Sequence, residues 1–472
     1  MRTWETVQIG VVAAAVLVPV LLGTRLKRGR MAALLILAMI LQLLIEGYRW
    51  QLVFLEITTL GLAVGDVLRE ERRVRGLQRF RRGVLGPVGV ASLAVLPMAL
   101  PIPEMPVPPG PFPVGTQTFE IVDQERLEEY GLAEREEGED PPEPTDPRRL
   151  VVQVWYPAAN VEGLEREPWN PDWDVVGPAM ARRLGFPGFF LSHVGEVPSH
   201  SYRRAPAVSG RLPVVIYSHG WTGFRTIAIH QMEALASRGF VVIAADHTYG
   251  AVATVFGEDD VVEYDPRALP PQEDGSEDYQ EASQQLVATF AEDIVSILDA
   301  LERGISGPFA RLAPEPDLDR IGVYGHSTGG GAAVRVCIED LRCRAVAGLD
   351  AWVQPIPDRV VARELSQPAL FMRSDEWRGT PNDGRLRGLA ERSPAESYWI
   401  GIEGAGHNDF VLTPLFSPIA DRIGLKGPIP AERVLPIVDT YLTAFFQRYL
   451  TGSGGAALDE PSPTEVMLEF LP

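Results

Sequence analysis

The hydrophobic positions of the chain begin with four nearly uninterrupted apolar stretches. They span residues 7–22, 31–45, 52–64 and 84–100. Each stretch is close to the minimum of about 17 residues that a membrane-spanning helix needs. Trp4, Tyr48 and Trp50 lie at their ends, and such aromatic side chains favour the membrane–water interface. The pattern predicts an all-α transmembrane region of about four helices over residues 1–100.

The basic residues between these stretches predict the orientation of the transmembrane region. Four arginines and lysines lie between the first and second stretches, seven between the third and fourth, and only Arg49 between the second and third. Loops rich in Arg and Lys stay cytoplasmic, so the N-terminus and everything after Leu100 are predicted to lie outside. A cleaved signal peptide over residues 1–23 is the alternative, although only Arg2 would form its basic region. Glu56, inside the third stretch, is a candidate for a functional or a helix-packing role.

The periodicity changes after a proline-rich segment over residues 101–115, which is typical of a stiff, extended linker. Eight short apolar runs typical of buried strands follow at residues 118–122, 150–156, 213–217, 240–245, 320–324, 344–349, 369–372 and 398–402. Helical patterns alternate with them at residues 225–238, 284–303, 331–338 and 431–449. Continuous apolar strands alternating with helices indicate a mostly parallel sheet covered on both faces. Residues 116–472 are therefore predicted to form an α/β domain with an eight-stranded sheet flanked by helices.

Charge and cysteine content narrow the possible functions. Residues 1–83 carry 13 Arg and Lys against 6 Asp and Glu, whereas the rest of the chain carries 30 against 57. So acidic a domain argues against a nucleic-acid partner, which requires basic surfaces. The two cysteines, Cys337 and Cys343, form no C-x-x-C motif, so no cysteine zinc site is predicted. Both a short-loop disulfide and two free thiols remain open.

The run from Gly325 to Gly329 is a G-x-S-x-G motif with Ser327 at its centre. A strand pattern precedes it and a helical pattern follows it. In that context the motif predicts a sharp strand-to-helix elbow that exposes the serine hydroxyl at the end of a sheet. Glycines are required there because a Cβ would clash in so tight a turn. Ser327 is therefore the candidate nucleophile.

A serine nucleophile needs a base, and the base needs an acid to orient it. His407 lies in a glycine-rich loop after the last predicted strand, which fits the order Ser, acid, His of the α/β-hydrolase fold. His326 adjoins the serine and is predicted to point away from the site. Asp350 and Asp375 each follow a predicted strand, and periodicity does not choose between them, although a late position in the sheet slightly favours Asp375.

The developing oxyanion needs two backbone N–H donors. One is predicted at Thr328, the residue after the nucleophile. The other is expected in the loop that follows the strand at residues 213–217, where Trp221 is the candidate. This arrangement implies acyl transfer through a covalent acyl-enzyme that water then hydrolyses.

Together these motifs resemble those of the plasma-type platelet-activating-factor acetylhydrolases (group VII phospholipase A2) and their bacterial relatives. The resemblance runs from about Val114 to the C-terminus and is carried by residues 151–157, 218–225, 325–330 and 349–352 and by His407 with Phe410. It implies an α/β-hydrolase fold, Asp350 as the acid with Asp375 as the runner-up, and Trp221 as an oxyanion donor. It also implies calcium-independent hydrolysis of short or oxidised sn-2 acyl groups of phospholipids without a cofactor or a metal.

With the apolar N-terminal region, the resemblance predicts a multi-pass protein of a bacterial cell membrane whose catalytic domain is extracytoplasmic. Four membrane spans ahead of the domain are unusual for the family. Two other functions stay open: a general esterase or polyester hydrolase of the same fold, and a non-catalytic membrane sensor with a hydrolase-like ectodomain. Residues 158–205 carry five large aromatic side chains, and these either form a lid over the site or pack on the sheet: Trp169, Trp173, Phe186, Phe189 and Phe190.

Overall fold

The computed structural model describes residues 2–21, 29–68, 89–131, 144–271, 277–304, 315–459 and 463–471. The chain forms two compact units, one of Met1–Pro103 with Phe416–Ile419 and one of Glu104–Leu415 with Ala420–Pro472. Most of the basic residues used above to orient the N-terminal region, at residues 25–28 and 69–82, lie outside the described residues, as do residues 84–88 of the fourth apolar stretch.

The described residues of the first unit form one helix for each apolar stretch: α1 (Thr3–Leu21), α2 (Arg30–Glu46), α3 (Val53–Val67) and α4 (Gly89–Ala99). Among the described residues, only Trp50–Val67 is long and apolar enough to cross a membrane, and Thr3–Val18 and Gly89–Ala99 are shorter apolar helices. The apolar sequence therefore forms helices where expected, while a membrane region of four spans stays a prediction. Inside this unit Arg49 and Glu5 form a buried ion pair at 2.8 Å.

The second unit is built on a sheet with the strand order β13-β12-β11-β10-β9-β5-β6-β2-β1-β4-β3, beside which β7 and β8 form a separate hairpin. The strands are β1 (Val114–Leu127), β2 (Pro147–Pro157), β3 (Arg166–Pro168), β4 (Pro198–Arg203), β5 (Arg211–Ser218), β6 (Val241–Asp246), β7 (Ala253–Gly257), β8 (Asp260–Glu263), β9 (Glu315–His326), β10 (Cys343–Leu349), β11 (Ala369–Ser374), β12 (Ser397–Ile402) and β13 (Val466–Leu471). The six strands from β12 to β6 are parallel, and antiparallel pairs β12–β13, β6–β2 and β2–β1 extend this core on both sides.

All eight predicted strands are present, but the prediction of an eight-stranded sheet was wrong, because the residues that the structure describes form a sheet of eleven strands. The three additional strands, β3, β4 and β13, lie at or next to the two edges of the sheet. Edge strands are solvated on one side and short, so they lack the continuous apolar run by which the central strands were identified. In addition, β1 begins at Val114, inside the segment predicted to be a linker.

Helices cover both faces of the central strands. After residue 103 the helices are α5 (Trp173–Arg183), α6 (Ile229–Ala236), α7 (Glu277–Glu302), α8 (Thr328–Glu339), α9 (Asp358–Val361), α10 (Pro381–Arg392), α11 (Thr413–Phe416) and α12 (Ala431–Phe446). α7 and α8 pack in one core with Val214 and Ile216 of β5, and α6 packs against α12. Alternate side chains of a strand point to opposite faces, so the consecutive buried residues from Pro213 to Ser218 of β5 indicate cover on both sides.

The two cysteines are joined by a disulfide between Cys337, near the end of α8, and Cys343, at the start of β10. The structure therefore contains the short-loop bridge and not two free thiols. Disulfides persist mainly in oxidising compartments.

In the aromatic segment at residues 158–205, the two tryptophans pack in the protein interior and do not form a lid. Trp169 and Trp173 are buried, lie 4.7 Å apart between ring centroids, and both pack on Phe224. Phe186 and Phe190 stack on each other with ring centroids 4.3 Å apart. The tryptophan pair thus supports the chain segment that contains Phe224.

A buried carboxyl of α6 makes the stability of this unit depend on pH. Burial raises the pKa of Glu233 to about 7 from an ordinary value of 4.5. Its Oε1 accepts from Ser201 Oγ and the His200 N–H, whereas within the described residues Oε2 has no partner. Between these two pKa values the folded chain holds a proton that the unfolded chain releases, so stability falls as the pH rises through this window.

We therefore expect Glu233→Gln to unfold at a higher temperature than the wild type at about pH 8 and at a similar temperature at about pH 4, below both pKa values. The gain in the free energy of unfolding at about pH 8 is at most roughly 3 kcal/mol, since each pKa unit corresponds to about 1.4 kcal/mol. Thermal unfolding of the full-length chain at both pH values measures it, with the exposed Glu162→Gln as the control. Equal pH dependence of Glu233→Gln and the wild type would contradict the assignment.

Candidate active site

Ser327 lies in the sharp turn between β9 and α8. Its backbone has φ 54° and ψ −120°, a left-handed conformation that non-glycine residues rarely adopt. Hydrogen bonds fix this geometry: the Ser327 N–H donates to Leu349 O at 3.0 Å, and Ser327 O accepts from the N–H groups of Gly331 and Trp352. Strained residues persist where the surroundings over-determine them, and they concentrate at functional sites. The side chain is partly exposed between buried neighbours.

The glycines around Ser327 are required by close backbone contacts. A Cβ on Gly325 would lie 2.3 Å from Gly329 O, and a Cβ on Gly329 would lie 2.1 Å from Ser218 O. These are backbone atoms and cannot move aside as a side chain would. The elbow therefore brings the end of β9, the start of α8 and the end of β5 into direct contact.

We expect Gly329→Ala to destabilise the protein by roughly 1–3 kcal/mol, the usual cost of overpacking, and to lower activity because the elbow must shift. Gly384→Ala is the matched control, since Gly384 is also helical and a Cβ there meets nothing within 4 Å. It should be neutral or slightly stabilising because alanine is the better helix former. Thermal unfolding and ester hydrolysis measure both. A Gly329→Ala variant as stable and active as Gly384→Ala would contradict the packing argument.

His407 is held by a buried carboxylate. Its Nδ1 lies 3.0 Å from Asp350 Oδ2, and the Asp350 side chain is fully buried whereas the imidazole is 18 % exposed. Asp350 also accepts from the Ser374 N–H at 2.9 Å and from Ser374 Oγ at 2.6 Å. This leaves the other ring nitrogen of His407, Nε2, to act on a second group. The pair is the arrangement that orients an imidazole as a base.

His326 connects this imidazole to the elbow. Its Nε2 donates to the His407 carbonyl at 2.9 Å, and the two rings have centroids 4.5 Å apart. Burial and the nearby His407 lower the pKa of His326 well below its usual value, so the ring is neutral. The prediction that His326 points away from the site was wrong, because its ring packs on the His407 imidazole and donates to the His407 carbonyl.

Asp375 has a different role from Asp350. Its carboxylate accepts from the Gly404 N–H at 2.6 Å and pairs with Arg378. The Asp375 N–H also donates to Ala405 O at 2.9 Å. Of the two aspartates that the sequence left open, the structure thus places Asp350 on the His407 imidazole and Asp375 on the backbone of the loop that precedes it.

Two further contacts of His407 were not found from the sequence. The indole of Trp377 stacks on the imidazole, with centroids 4.3 Å apart and an interplanar angle of 3°. The His407 N–H donates to Glu376 Oε2 at 2.8 Å. Both residues directly follow Asp375, so the end of the strand was recognised, but nothing in its residue pattern indicated which side chains turn towards the histidine.

The loop after β5 lies against Ser327. A Cβ on Gly220 would be 3.1 Å from Ser327 Cβ. In this loop the Thr222 N–H donates to Gly250 O and the Gly223 N–H donates to Gly220 O. Among the described residues, by contrast, the Trp221 N–H donates no hydrogen bond. Thr328 is the first residue of α8, and the N–H groups of a first helical turn have no intrahelical acceptor.

No group of three or more His, Cys, Asp or Glu side chains suited to a metal ion occurs within the part of the chain that the structure describes. The groups that the structure brings together are a serine hydroxyl, an imidazole held by a carboxylate, and backbone N–H donors.

Comparison with known proteins gives the same class of chemistry. The family model described as platelet-activating factor acetylhydrolase, isoform II, matches residues 103–454. The chain is 26% identical to the platelet-activating factor acetylhydrolase of Gallus gallus over 337 residues, which cover 64% of this chain and 78% of that protein. It is 23% identical to a probable 1-alkyl-2-acetylglycerophosphocholine esterase of Arthroderma benhamiae over 421 residues, covering 81% of this chain and 98% of the relative.

The solved structure of a ferulic acid esterase from Streptomyces cinnamoneus is similar in fold. The match has a TM-score of 0.61 and 27% sequence identity, and it covers 78% of this chain and 99% of the esterase. The mixed sheet flanked by helices is thus an esterase fold of the α/β-hydrolase type. The relatives and the structural neighbour are all named as hydrolases of carboxylic esters.

Proposed function

Because the chain belongs to the platelet-activating factor acetylhydrolase family, a family of carboxylic ester hydrolases, we propose that Ser327, His407 and Asp350 hydrolyse esters through an acyl-enzyme. The observation that carries the proposal is the buried Asp350 carboxylate on His407 Nδ1, beside a serine in a strained elbow. A serine needs a base to become nucleophilic, and an oriented imidazole supplies it.

The reaction proposed for these residues has two halves. The Ser327 hydroxyl oxygen attacks the ester carbonyl carbon while its proton passes to His407 Nε2. The carbonyl oxygen becomes an oxyanion, stabilised by the N–H groups of Trp221 and Thr328. Collapse breaks the bond to the alcohol, which leaves with the proton from His407. Water then attacks the acyl-enzyme by the same route in reverse, which releases the acid and restores Ser327.

Asp350 keeps the proton of neutral His407 on Nδ1, so that Nε2 is free to accept the serine proton. It also stabilises the imidazolium that forms in each half-reaction. Its burial strengthens this interaction, because charges interact more strongly in a low-dielectric interior. The stacked indole of Trp377 holds the ring in the plane that the hydrogen bond requires.

The substrate class we propose is a short or oxidised acyl ester, in particular an sn-2 acyl group of a phospholipid. Support comes from the family and from the probable 1-alkyl-2-acetylglycerophosphocholine esterase among the relatives. A second candidate of the same chemistry is an aromatic acyl ester, favoured by the ferulic acid esterase neighbour and by partly exposed Trp221, Trp352 and Trp377 around the proposed triad.

Hydrolysis of an ester panel by the wild type and by Ser327→Ala tests the proposal. The panel contains p-nitrophenyl acetate, butyrate and octanoate, a phospholipid with an sn-2 acetyl group, and methyl ferulate. We expect Ser327-dependent cleavage of the phospholipid. Ser327-dependent cleavage of methyl ferulate or simple esters alone would keep the mechanism and overturn the lipid assignment. No cleavage of any ester by folded wild type would overturn the mechanism as well.

We also propose that the N-terminal unit anchors the chain in a bacterial cell membrane, as several spans, with the catalytic unit outside the cytoplasm. The supporting observations are the apolar helix Trp50–Val67, exposed apolar side chains on α2 and α3 such as Leu44 and Ile57, and the Cys337–Cys343 disulfide, which fits an oxidising compartment. Protease digestion of intact spheroplasts should remove the catalytic unit. Its protection until the membrane is lysed would contradict this orientation.

A further inference from the structure

A second Ser–His–Asp arrangement lies behind the loop that carries Trp221. Asp293 Oδ2 is 2.9 Å from His247 Nδ1, and His247 Nε2 is 2.8 Å from Ser218 Oγ. All three residues are 0–1 % exposed, so no ester reaches the serine. The arrangement has the connectivity of a catalytic triad but is sealed inside the protein, and it therefore requires another explanation.

The direction of each hydrogen bond in this cluster follows from the charge of Asp293. Burial alone would raise its pKa, but the Arg148 guanidinium, bonded at 2.6 and 3.0 Å, and the His247 hydrogen bond hold the pKa below its ordinary value. An ionised carboxylate only accepts, so His247 carries its proton on Nδ1. Burial lowers the pKa of His247. Its neutral Nε2 therefore accepts the Ser218 hydroxyl proton.

The chain of hydrogen bonds continues through the backbone into the next histidine. The His247 N–H donates to His219 Nε2 at 3.1 Å, so the proton of His219 lies on Nδ1. That Nδ1–H donates to Gly220 O at 2.7 Å. Burial, together with the neighbouring His247, lowers the pKa of His219 well below its ordinary value. The ring is neutral, with a single tautomer.

The acceptor at the end of this chain belongs to the same peptide unit as the proposed oxyanion donor. The carbonyl of Gly220 and the N–H of Trp221 are joined by one planar trans amide, in which the oxygen and the hydrogen point in opposite directions. Two donors hold the oxygen, His219 Nδ1 at 2.7 Å and the Gly223 N–H at 2.8 Å. Fixing the oxygen away from the site therefore fixes the direction of the Trp221 N–H.

We propose that His219 is a positioning residue that aims the Trp221 N–H at the oxyanion, and that the His247 backbone N–H, by donating to His219 Nε2, holds His219 in the required tautomer. The hydrogen bonds of the His247 ring to Ser218 and Asp293 anchor the residue that carries this N–H. The inference rests on the proposed function, because it concerns the oxyanion site of that reaction. The contact of Gly220 with Ser327 places this peptide at the nucleophile. A preorganised donor stabilises the transition state without reorganising during the reaction, so His219 acts on kcat and not on substrate binding.

Two substitutions at position 219 separate this role from simple packing. In His219→Asn the side-chain amide nitrogen occupies the place of Nδ1 and can still donate to Gly220 O. In His219→Gln the amide nitrogen is one bond further out, near the place of Nε2, so the donor to Gly220 O is lost. We expect His219→Gln to lower kcat by about 10- to 100-fold, since complete loss of an oxyanion donor costs about 10²–10³. KM should stay within about threefold, and His219→Asn should stay within about threefold of the wild type in both constants.

A trifluoromethyl ketone, which forms a tetrahedral oxyanion on the serine, supplies the second readout. Its affinity for His219→Gln should fall by the same factor as kcat/KM, as expected for a transition-state analogue. Unchanged kcat and inhibitor affinity in folded His219→Gln would overturn the proposal. An equal loss of kcat in His219→Asn and His219→Gln would also overturn it. If His219→Gln does not fold, His219→Asn is the test, because a loss of kcat of tenfold or more in folded His219→Asn would overturn the proposal.

The wild type and Ser327→Ala are measured in the same assay. An active wild type with undisturbed His219→Gln kinetics would overturn this inference and leave the proposed function intact. A folded wild type that cleaves no ester and binds no trifluoromethyl ketone would overturn both.

Discussion

Ser327→Ala is expected to lower kcat for every ester that the wild type cleaves by at least about 10⁴-fold, because removing a triad nucleophile leaves only the oxyanion donors and substrate binding to accelerate the reaction. The fold should be unchanged, since the Ser327 contacts that hold the elbow are made by its backbone N–H and carbonyl and not by its side chain. The measurement is steady-state hydrolysis of p-nitrophenyl butyrate, together with the thermal unfolding temperature.

Ser218→Ala distinguishes the exposed serine from the buried one. Both serines lie at the carboxyl end of a central strand. Ser218 is also hydrogen-bonded to His247, which is in turn hydrogen-bonded to Asp293. Because Ser218 is sealed from solvent, Ser218→Ala should still be labelled by a fluorophosphonate, whereas Ser327→Ala should not. Residual turnover of Ser327→Ala above a hundredth of the wild-type value, at equal folding, would contradict the assignment of the nucleophile.

Asp350→Asn is expected to lower kcat by about 10⁴-fold, the loss seen when an asparagine amide presents a donor to the imidazole and selects the wrong tautomer. The Asp350 carboxylate also accepts two hydrogen bonds from Ser374. An asparagine amide replaces one of its acceptor oxygens with a donor, so one of these bonds must rearrange and the free energy of unfolding should fall. Hydrolysis of the same ester over a range of pH, together with thermal unfolding, measures both effects.

Asp375→Asn is the matched control, because Asp375 lies at the carboxyl end of the neighbouring strand and was the alternative acid. The remaining amide oxygen can still accept from Gly404, and the ion pair with Arg378 is partly exposed, where such pairs contribute little. Its kcat should stay within about tenfold of the wild type. A larger loss in Asp375→Asn than in Asp350→Asn would reverse the assignment.

The elements and residues that the sequence predicted well are those with a local signal. The elbow needs glycines at fixed offsets around Ser327 because its backbone contacts leave no room for a Cβ, and the central strands are continuous apolar runs because both faces are covered. Those constraints leave a pattern in the chain itself. Residues 116–472 were accordingly predicted as an α/β domain with the observed central strands.

The partners of His407 could not be predicted in the same way. Asp350 and Asp375 follow adjacent parallel strands with similar apolar patterns, and only the path of the returning loop decides which carboxylate meets the imidazole. Trp377 contacts His407 through the same tertiary placement. The hydrogen-bond chain from Asp293 to Gly220 joins residues more than 70 positions apart, so no spacing within the sequence reveals it.

The N-terminal region shows a different limit of sequence patterns. Its four apolar stretches are helical where the structure describes them, but hydropathy alone does not tell a membrane-spanning helix from an apolar helix buried in a protein. The edge strands β3 and β13 were missed because they have only three and six residues and neither is an uninterrupted apolar run like the central strands.

The most direct test of the account is the site of covalent modification in the active, full-length chain. Ser327 is the sole serine of the tryptic peptide from residue 321 to residue 335, and Ser218 is the sole serine of the peptide from residue 212 to residue 225. After reaction with a fluorophosphonate, mass spectrometry should find one adduct per chain, on the first peptide, with ester hydrolysis lost in proportion. An adduct on any other peptide, or full hydrolysis by protein modified at Ser327, would contradict the account.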